Sequence, residues 1–217
     1  MSRLCKDKDR IMRLFRMNGM NYSKKTYGNI RSFLETYMEI RQDLDYLPLE
    51  KNNNVLIMKG PEIFKEMIGA EIISKEKIES FIGSLVRSGN LQEMIYKALN
   101  ETREFSENGE AYYKILWHLY FNERLINNSE LEKKLAYSHT ALQIRKEIAI
   151  MLFGVVFWKS ILEYWKNSIE EMYRIEIEAG RDGSLAERRK NVDRRSGLPD
   201  RRKGDRRRGA SERVCPI

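Results

Sequence analysis

Apolar residues recur at helical spacing along most of the chain and divide it into amphipathic helices. From Ile78 to Val86, and again from Leu91 to Leu99, they follow the pattern i, i+3, i+4, i+7, i+8. Residues 88–90 between them are typical of a turn, and Ser74 is placed to cap the first stripe. The two stripes predict an antiparallel helical hairpin with apolar faces turned to the core.

An earlier stripe from about Thr26 to Leu44 predicts another helix. Residues 47–60 contain Pro48 and Gly60 and are interpreted as a connector. The apolar segment 55–58 inside it is compatible with a strand or with one buried turn, and the pattern alone does not decide between them.

The longest apolar run covers residues 148–158. A helix that spans a membrane needs about 20 such residues, and Lys159 and Glu163 follow this run at once. The run therefore predicts a buried helix of the core, and no membrane partner is expected.

Residues 110–158 predict three consecutive helices, the first over 110–121. The second begins at Ser129, where the Ser129 hydroxyl and the Glu132 carboxylate are spaced as a capping box. After a turn at residues 136–137, Ser138 is placed to cap the third helix. A short helix that braces a longer one in this way is typical of a helix-turn-helix.

The third helix has two faces, and its polar face carries the expected DNA contacts. Leu142, Ala149 and Phe153 are expected to face inward, and the capped N-terminus offers free amides to a phosphate. An amide such as that of Gln143 can bind adenine, and a lysine can reach guanine or phosphate. The predicted DNA-binding residues are Ser138, His139, Thr140, Gln143 and Lys146.

Four stretches of this region resemble sigma factor region four, and more closely the ArpU/RinA group of phage-type late transcription regulators. They are residues 112–116, 129–135, 137–142 and 145–149, followed by an apolar run that ends at Trp158. Residues 27–34 are weakly similar to the first helix of that group. The resemblance implies a regulator of phage or mobile-element genes that binds double-stranded DNA, with RNA polymerase and a second copy of the chain as further candidate partners.

The net charge of +8 is concentrated near the C-terminus. Residues 181–213 hold 13 Lys or Arg against 6 Asp or Glu, whereas the remainder holds 27 against 26. Few apolar residues occur there, which predicts a disordered tail from residue 179. The tail is either a solvated end or an auxiliary arm that contacts phosphates through paired arginines: Arg188, Arg189, Arg194, Arg195, Arg201, Arg202, Arg206 and Arg207.

The sequence offers little to an enzyme. It has no glycine-rich phosphate loop, no His-Glu-x-x-His and no paired-cysteine metal spacing. Cys5 and Cys215 lie near opposite ends, a pattern that suits a reducing compartment. We therefore expect no catalytic site, no metal and no cofactor, and a cytoplasmic location.

Together these patterns predict an all-α fold: a helical bundle with a C-terminal helix-turn-helix module and a disordered basic tail. The expected divisions are an N-terminal helical segment (1–46), a connector with a helical hairpin (47–109), the DNA-binding module with a long closing helix (110–178) and the tail (179–217). The expected function is sequence-specific DNA binding in transcriptional control. The alternative is a helical protein–protein adaptor whose basic tail binds RNA or acidic surfaces.

Overall fold

Every regular element in the described part of the chain is a helix. The computed structural model describes residues 3–44, 54–71, 73–87 and 89–196, with the backbone alone at residues 44, 54–58, 175, 176 and 178–196. The all-α fold class is confirmed for these residues. The elements are α1 (Arg3–Met17), α2 (Lys24–Leu44), α3 (Asn54–Gly69), α4 (Lys75–Arg87), α5 (Leu91–Glu104), α6 (Gly109–Leu116), a π-helical segment (Trp117–Phe121), α7 (Asn128–Leu135) and α8 (His139–Ser196).

A Schellman motif ends α1 and turns the chain into α2. Gly19 has a φ of 63°, and the Met20 amide donates to the Phe15 carbonyl at 2.9 Å. The Ser23 hydroxyl then accepts a hydrogen bond from the Thr26 amide at 3.1 Å and caps α2. The helix predicted from about Thr26 to Leu44 is confirmed.

α3 replaces part of the predicted connector. Because it begins at Asn54, segment 55–58 is helical, neither a strand nor an isolated turn. Pro61 lies inside α3, where a proline costs about 3 kcal/mol. Each large apolar side chain that is fully buried stabilises the fold by roughly 1.5–3 kcal/mol. The burial of the following turns therefore outweighs the cost of the proline. The buried side chains of those turns are Phe64, Met67 and Ile68.

The predicted helical hairpin is confirmed as α4 and α5. Ser74 caps α4, since its hydroxyl accepts a hydrogen bond from the Lys77 amide at 3.3 Å. Gly89, with a φ of 75°, provides the turn. Asn90 precedes α5 but makes no side-chain capping hydrogen bond to it.

The middle of α8 forms the centre of the core, as predicted. Residues 148–158 are all buried, which is typical of a helix surrounded by other helices. The Phe157 ring packs on those of Phe33 and Phe64, with centroids 5.3 and 5.4 Å away. Gly154 permits a close approach to α2, because a Cβ there would lie 2.3 Å from Cδ1 of Ile30.

One segment, His139–Arg174, is long and apolar enough to cross a membrane by length and composition. Within the protein, however, 72% of its most apolar window is buried. That burial is typical of a core helix of a folded domain, which agrees with the sequence prediction for residues 148–158.

The chain divides into two compact units, Met1–Glu170 and Glu171–Ile217. The predicted tail differs from the structure in its first part, because α8 continues to Ser196. Residues 186–190 are strong helix formers, and the next proline is Pro199, so the backbone can remain helical there. Residues 197–217 lie outside the described residues.

Candidate nucleic-acid interface

The short helix α7 is fixed at both of its ends. The Asn127 side chain accepts a hydrogen bond from the Glu130 amide at 2.9 Å, and the Glu130 carboxylate accepts one from the Asn127 amide at 3.3 Å. This is a capping box. The predicted box on Ser129 and Glu132 is therefore wrong: α7 starts at Asn128, so Ser129 already lies inside its first turn.

The turn from α7 to α8 needs a left-handed residue, and Ala136 adopts it with a φ of 54°. The Tyr137 amide donates to the Glu132 carbonyl at 3.0 Å, which closes α7 with a second Schellman motif. Three residues, 136–138, thus join the two helices, a length that helix-turn-helix units share. Leu131 of α7 and Leu142 of α8 are both fully buried.

Ser138 caps α8 as predicted. Its hydroxyl accepts a hydrogen bond from the Ala141 amide at 3.3 Å. His139 and Thr140 follow in the first turn, and both are exposed. His139 Nδ1 lies 2.8 Å from Glu132 Oε1 and links the start of α8 to α7. The first turn of α8 therefore presents polar groups to solvent from a braced position.

Gln143 and Lys146 do not extend this exposed surface equally. Gln143 is half-buried, but Lys146 is only 8% exposed and its Nζ donates to Asn128 Oδ1 at 3.3 Å. The prediction that Lys146 shares the outer face is wrong, because it lies four residues after Leu142 and three before Ala149, both in the core. Burial accordingly lowers the pKa of Lys146.

Arg145 stabilises the turn in a way that sequence reasoning missed. Its guanidinium lies 4.4 Å from the centroid of the Tyr137 ring, a cation–π contact. Its Nη1 also donates to the Ala141 carbonyl at 3.3 Å. An arginine four residues from a carbonyl and eight from an aromatic residue is too common a spacing to have indicated this contact.

Asp7 on α1 joins α1 to the loop before α6 and to α6 itself. Its Oδ2 accepts hydrogen bonds from Ser106 Oγ at 3.1 Å, Asn108 Nδ2 at 2.8 Å and the Tyr112 hydroxyl at 2.7 Å. Asp7 is buried, and burial together with this carboxylate raises the pKa of Tyr112. The partners lie about a hundred positions away in sequence, so no local pattern could reveal them.

The first helix of the predicted module is α6 followed by the π-helical segment. The π geometry is closed by the Asn122 amide, which donates to the Trp117 carbonyl at 2.8 Å. Arg41 of α2 then satisfies the last carbonyls, with Nη1 on Phe121 O at 2.9 Å and Nη2 on Asn122 O at 2.8 Å. Helix α2 thus holds the end of this segment.

The surface around the α7–α8 turn is close to neutral. Residues 122–147 hold five Lys or Arg against four Glu, and Lys146 is among the five although it is buried. The backbone of α8 reaches Arg188, Arg189, Arg194 and Arg195, whose side chains are not described. Arg201, Arg202, Arg206 and Arg207 lie outside the described residues. Over the described part of the chain, no group of three His, Cys, Asp or Glu is arranged to hold a metal ion.

Comparison with known proteins identifies no relative of the chain. No family model matches the chain, and neither a curated protein nor a solved structure matches it. The similarity to the ArpU/RinA group accordingly stays a prediction from the residues that carry it.

Proposed function

We propose that the protein binds double-stranded DNA through α7 and α8, with the first turn of α8 as the reading element. The observation that carries this proposal is a short capped helix, a three-residue turn and a longer helix whose capped first turn is open to solvent. A helix-turn-helix needs this arrangement, since the N-terminal residues of its second helix contact base edges.

Each polar group at the start of α8 has a suitable role in such a complex. The amides near Ser138 and the positive end of the helix dipole favour a phosphate. Thr140 and His139 are exposed on the first turn, and Gln143 can donate to and accept from adenine in the major groove. Lys146 has no role in contacting DNA in this proposal, because it is buried.

The finer assignment rests on the resemblance. It favours a transcriptional regulator of phage or mobile-element type that acts in the cytoplasm, with RNA polymerase or a second copy of the chain as further partners. The paired arginines from Arg188 onward add phosphate contacts that carry no sequence information.

The test is a selection of bound sequences from random duplex DNA with the full chain. We expect enrichment of one motif, and we expect the double variant T140A/Q143A to lose preference at one or two base positions, at about 1–3 kcal/mol each. The matched control is K77Q/K166Q, two exposed changes on α4 and α8 away from the α7–α8 turn. Selection of the same motif by all three proteins would overturn the assignment of α8 as the reader.

One observation favours the adaptor as a second candidate. Ile144 is 46% exposed and Leu125 is 38% exposed, so two large apolar side chains reach solvent within the proposed module. Exposed apolar side chains mark a protein-binding surface where they form a contiguous patch. If the folded full chain enriches no DNA motif and leaves random duplex unbound, this candidate replaces the first.

A further inference from the structure

The positive charge of the folded body is concentrated at its beginning. Residues 3–25 hold eight Lys or Arg against two Asp, a net of +6, whereas residues 26–180 hold 19 against 24, a net of −5. Summed over residues 3–180, the two values give a net charge of only +1, which conceals this difference. α1 is therefore a basic element on an otherwise acidic body.

The outer face of α1 carries cations that internal contacts leave available. Arg3 pairs with Glu107 at 2.7 Å, Lys8 with Glu147 at 3.5 Å, and Arg10 donates to the Phe105 carbonyl at 2.9 Å. On the opposite side from buried Ile11 and Phe15, three exposed cations form no ion pair within the part of the chain that the structure describes: Lys6, Arg13 and Arg16.

These three residues, called the α1 basic face here, belong to a helix held beside the start of α8. Glu147 Oε1 lies 3.5 Å from Lys8 Nζ and also 3.5 Å from the Tyr22 hydroxyl. Glu147 follows His139 by eight residues, a rise of about 12 Å along the helix. Asp7, one residue before Lys8, accepts a hydrogen bond from the Tyr112 hydroxyl of α6. α1 thus contacts α8, which carries the proposed reading element, and α6, the first helix of the predicted module.

We infer that the α1 basic face contacts the phosphate backbone of the duplex that the first turn of α8 reads. This inference rests on the proposed function and assigns the partner of a second surface. The reading surface is nearly neutral, whereas phosphate contacts supply much of the affinity of proteins for DNA. The acidic remainder of the body repels the same backbone, which leaves the α1 basic face as the favoured side for approach.

The contacts have a measurable consequence in the salt dependence of binding. Each cation that neutralises a phosphate contributes about 0.9 to the slope of log K against log salt. The triple variant K6Q/R13Q/R16Q should therefore bind with a slope shallower by about 2.7. Between 50 and 200 mM salt, the affinity of the wild type should fall about 40-fold more than that of the variant.

The experiment is a salt titration of duplex binding by fluorescence anisotropy, on the full chain, with a selected and a random duplex. The matched control is K59Q/K77Q/K166Q, which removes the same charge from three exposed lysines on α3, α4 and α8. We expect the control to keep the wild-type slope and the α1 variant to lose affinity equally for both duplexes, since phosphate contacts carry no sequence information.

The outcomes separate this inference from the function beneath it. If the wild type binds and the α1 variant has the same slope as the control, the inference is overturned and the α8 assignment stands. A loss confined to the selected duplex also overturns it, because α1 would then read bases. If the folded wild type binds neither duplex at low salt, the proposed function itself fails and the inference fails with it.

Discussion

Asp7 is a single residue whose loss would leave several polar groups without partners. Three donors converge on its Oδ2, and it is buried. We expect D7A to lower the free energy of unfolding by about 1–3 kcal/mol, because the Tyr112 hydroxyl and its neighbours keep their burial and lose their acceptor. Urea denaturation measures this. The neighbouring D9A, which removes a carboxylate without a hydrogen bond or ion pair to the described residues, should change it by less than about 0.5 kcal/mol. Equal effects of the two variants would contradict the account.

At Lys146, the account predicts how the stability of the protein depends on pH. Its pKa in the folded state is lowered by burial, so between that pKa and the unfolded value of 10.5 the unfolded chain binds more protons than the folded one. Stability from this group therefore rises with pH toward 10.5. K146M should be at least as stable as the wild type at pH 7, and its advantage should shrink as the pH approaches 10.5.

The same variant separates the structural role of Lys146 from a role in DNA contact. Urea denaturation at pH 7, 8.5 and 10 follows the stability difference, and anisotropy at pH 7 follows duplex binding. Because the side chain is buried, we expect duplex affinity within about twofold of wild type, less than about 0.5 kcal/mol. A tenfold loss of affinity with the fold intact would restore Lys146 as a contact residue.

At the scale of elements, two variants test which residue caps the start of α7: Asn127, as in the structure, or Ser129, two positions later. N127A should cost about 1 kcal/mol, since the side-chain acceptor for the Glu130 amide is lost. S129A removes an exposed hydroxyl within the first turn and should be neutral within about 0.5 kcal/mol. Thermal unfolding of the two variants measures this difference. A larger loss of stability in S129A than in N127A would show that Ser129 is the cap.

The close crossing of α2 and α8 depends on glycine at position 154, which has no side chain. G154A would place a Cβ 2.3 Å from Cδ1 and 2.9 Å from Cγ1 of the fully buried Ile30, and we expect it to cost about 1–3 kcal/mol. G28A makes the same change in α2, where no atom lies within 4 Å of the new Cβ. It should gain about 0.5–1 kcal/mol from helix propensity. Urea midpoints that move in the same direction for both would contradict this packing.

The elements that sequence reasoning predicted are those with a local cause. The stripes of α4 and α5, the Ser138 cap and the buried run 148–158 each depend on residues within one or two turns. α3 was missed because Pro48 and Gly60 indicated a connector over residues 47–60, whereas in the fold the helix starts at Asn54 and the apolar residues after Gly60 are buried. The Ser129 box was misplaced because Asn127 and Glu130 have the same spacing two residues earlier.

At the scale of the whole molecule, the candidate site was predicted in outline but not in its supports. Asp7 and Arg41 join segments about 80–105 positions apart, and such pairings are invisible to periodicity. The positive charge of α1 was missed for a different reason. It is visible in the sequence, but all residues outside 181–213 were counted as one sum. A count over windows of about 25 residues would have shown the basic start and the acidic body.

The position of α8 in the whole molecule gives the proposed reading element a rigid support. α8 begins at the exposed Ser138 cap and continues without interruption into residues 148–158, which the rest of the bundle surrounds. A side chain on its first turn is thereby held by the core of the domain. Such support favours a site that depends on accurate placement.

The most direct measurement is photo-crosslinking from the first turn of α8. Thr140 is replaced by p-benzoylphenylalanine in the full chain, and the same replacement at exposed Lys77 of α4 is the control. The proteins are irradiated with the duplex enriched by selection, and the crosslinked base is mapped. We expect a crosslink from position 140 to a base within the enriched motif and none from position 77. Crosslinking from position 77 but not from 140, by proteins that bind the duplex, would contradict α8 as the reading element.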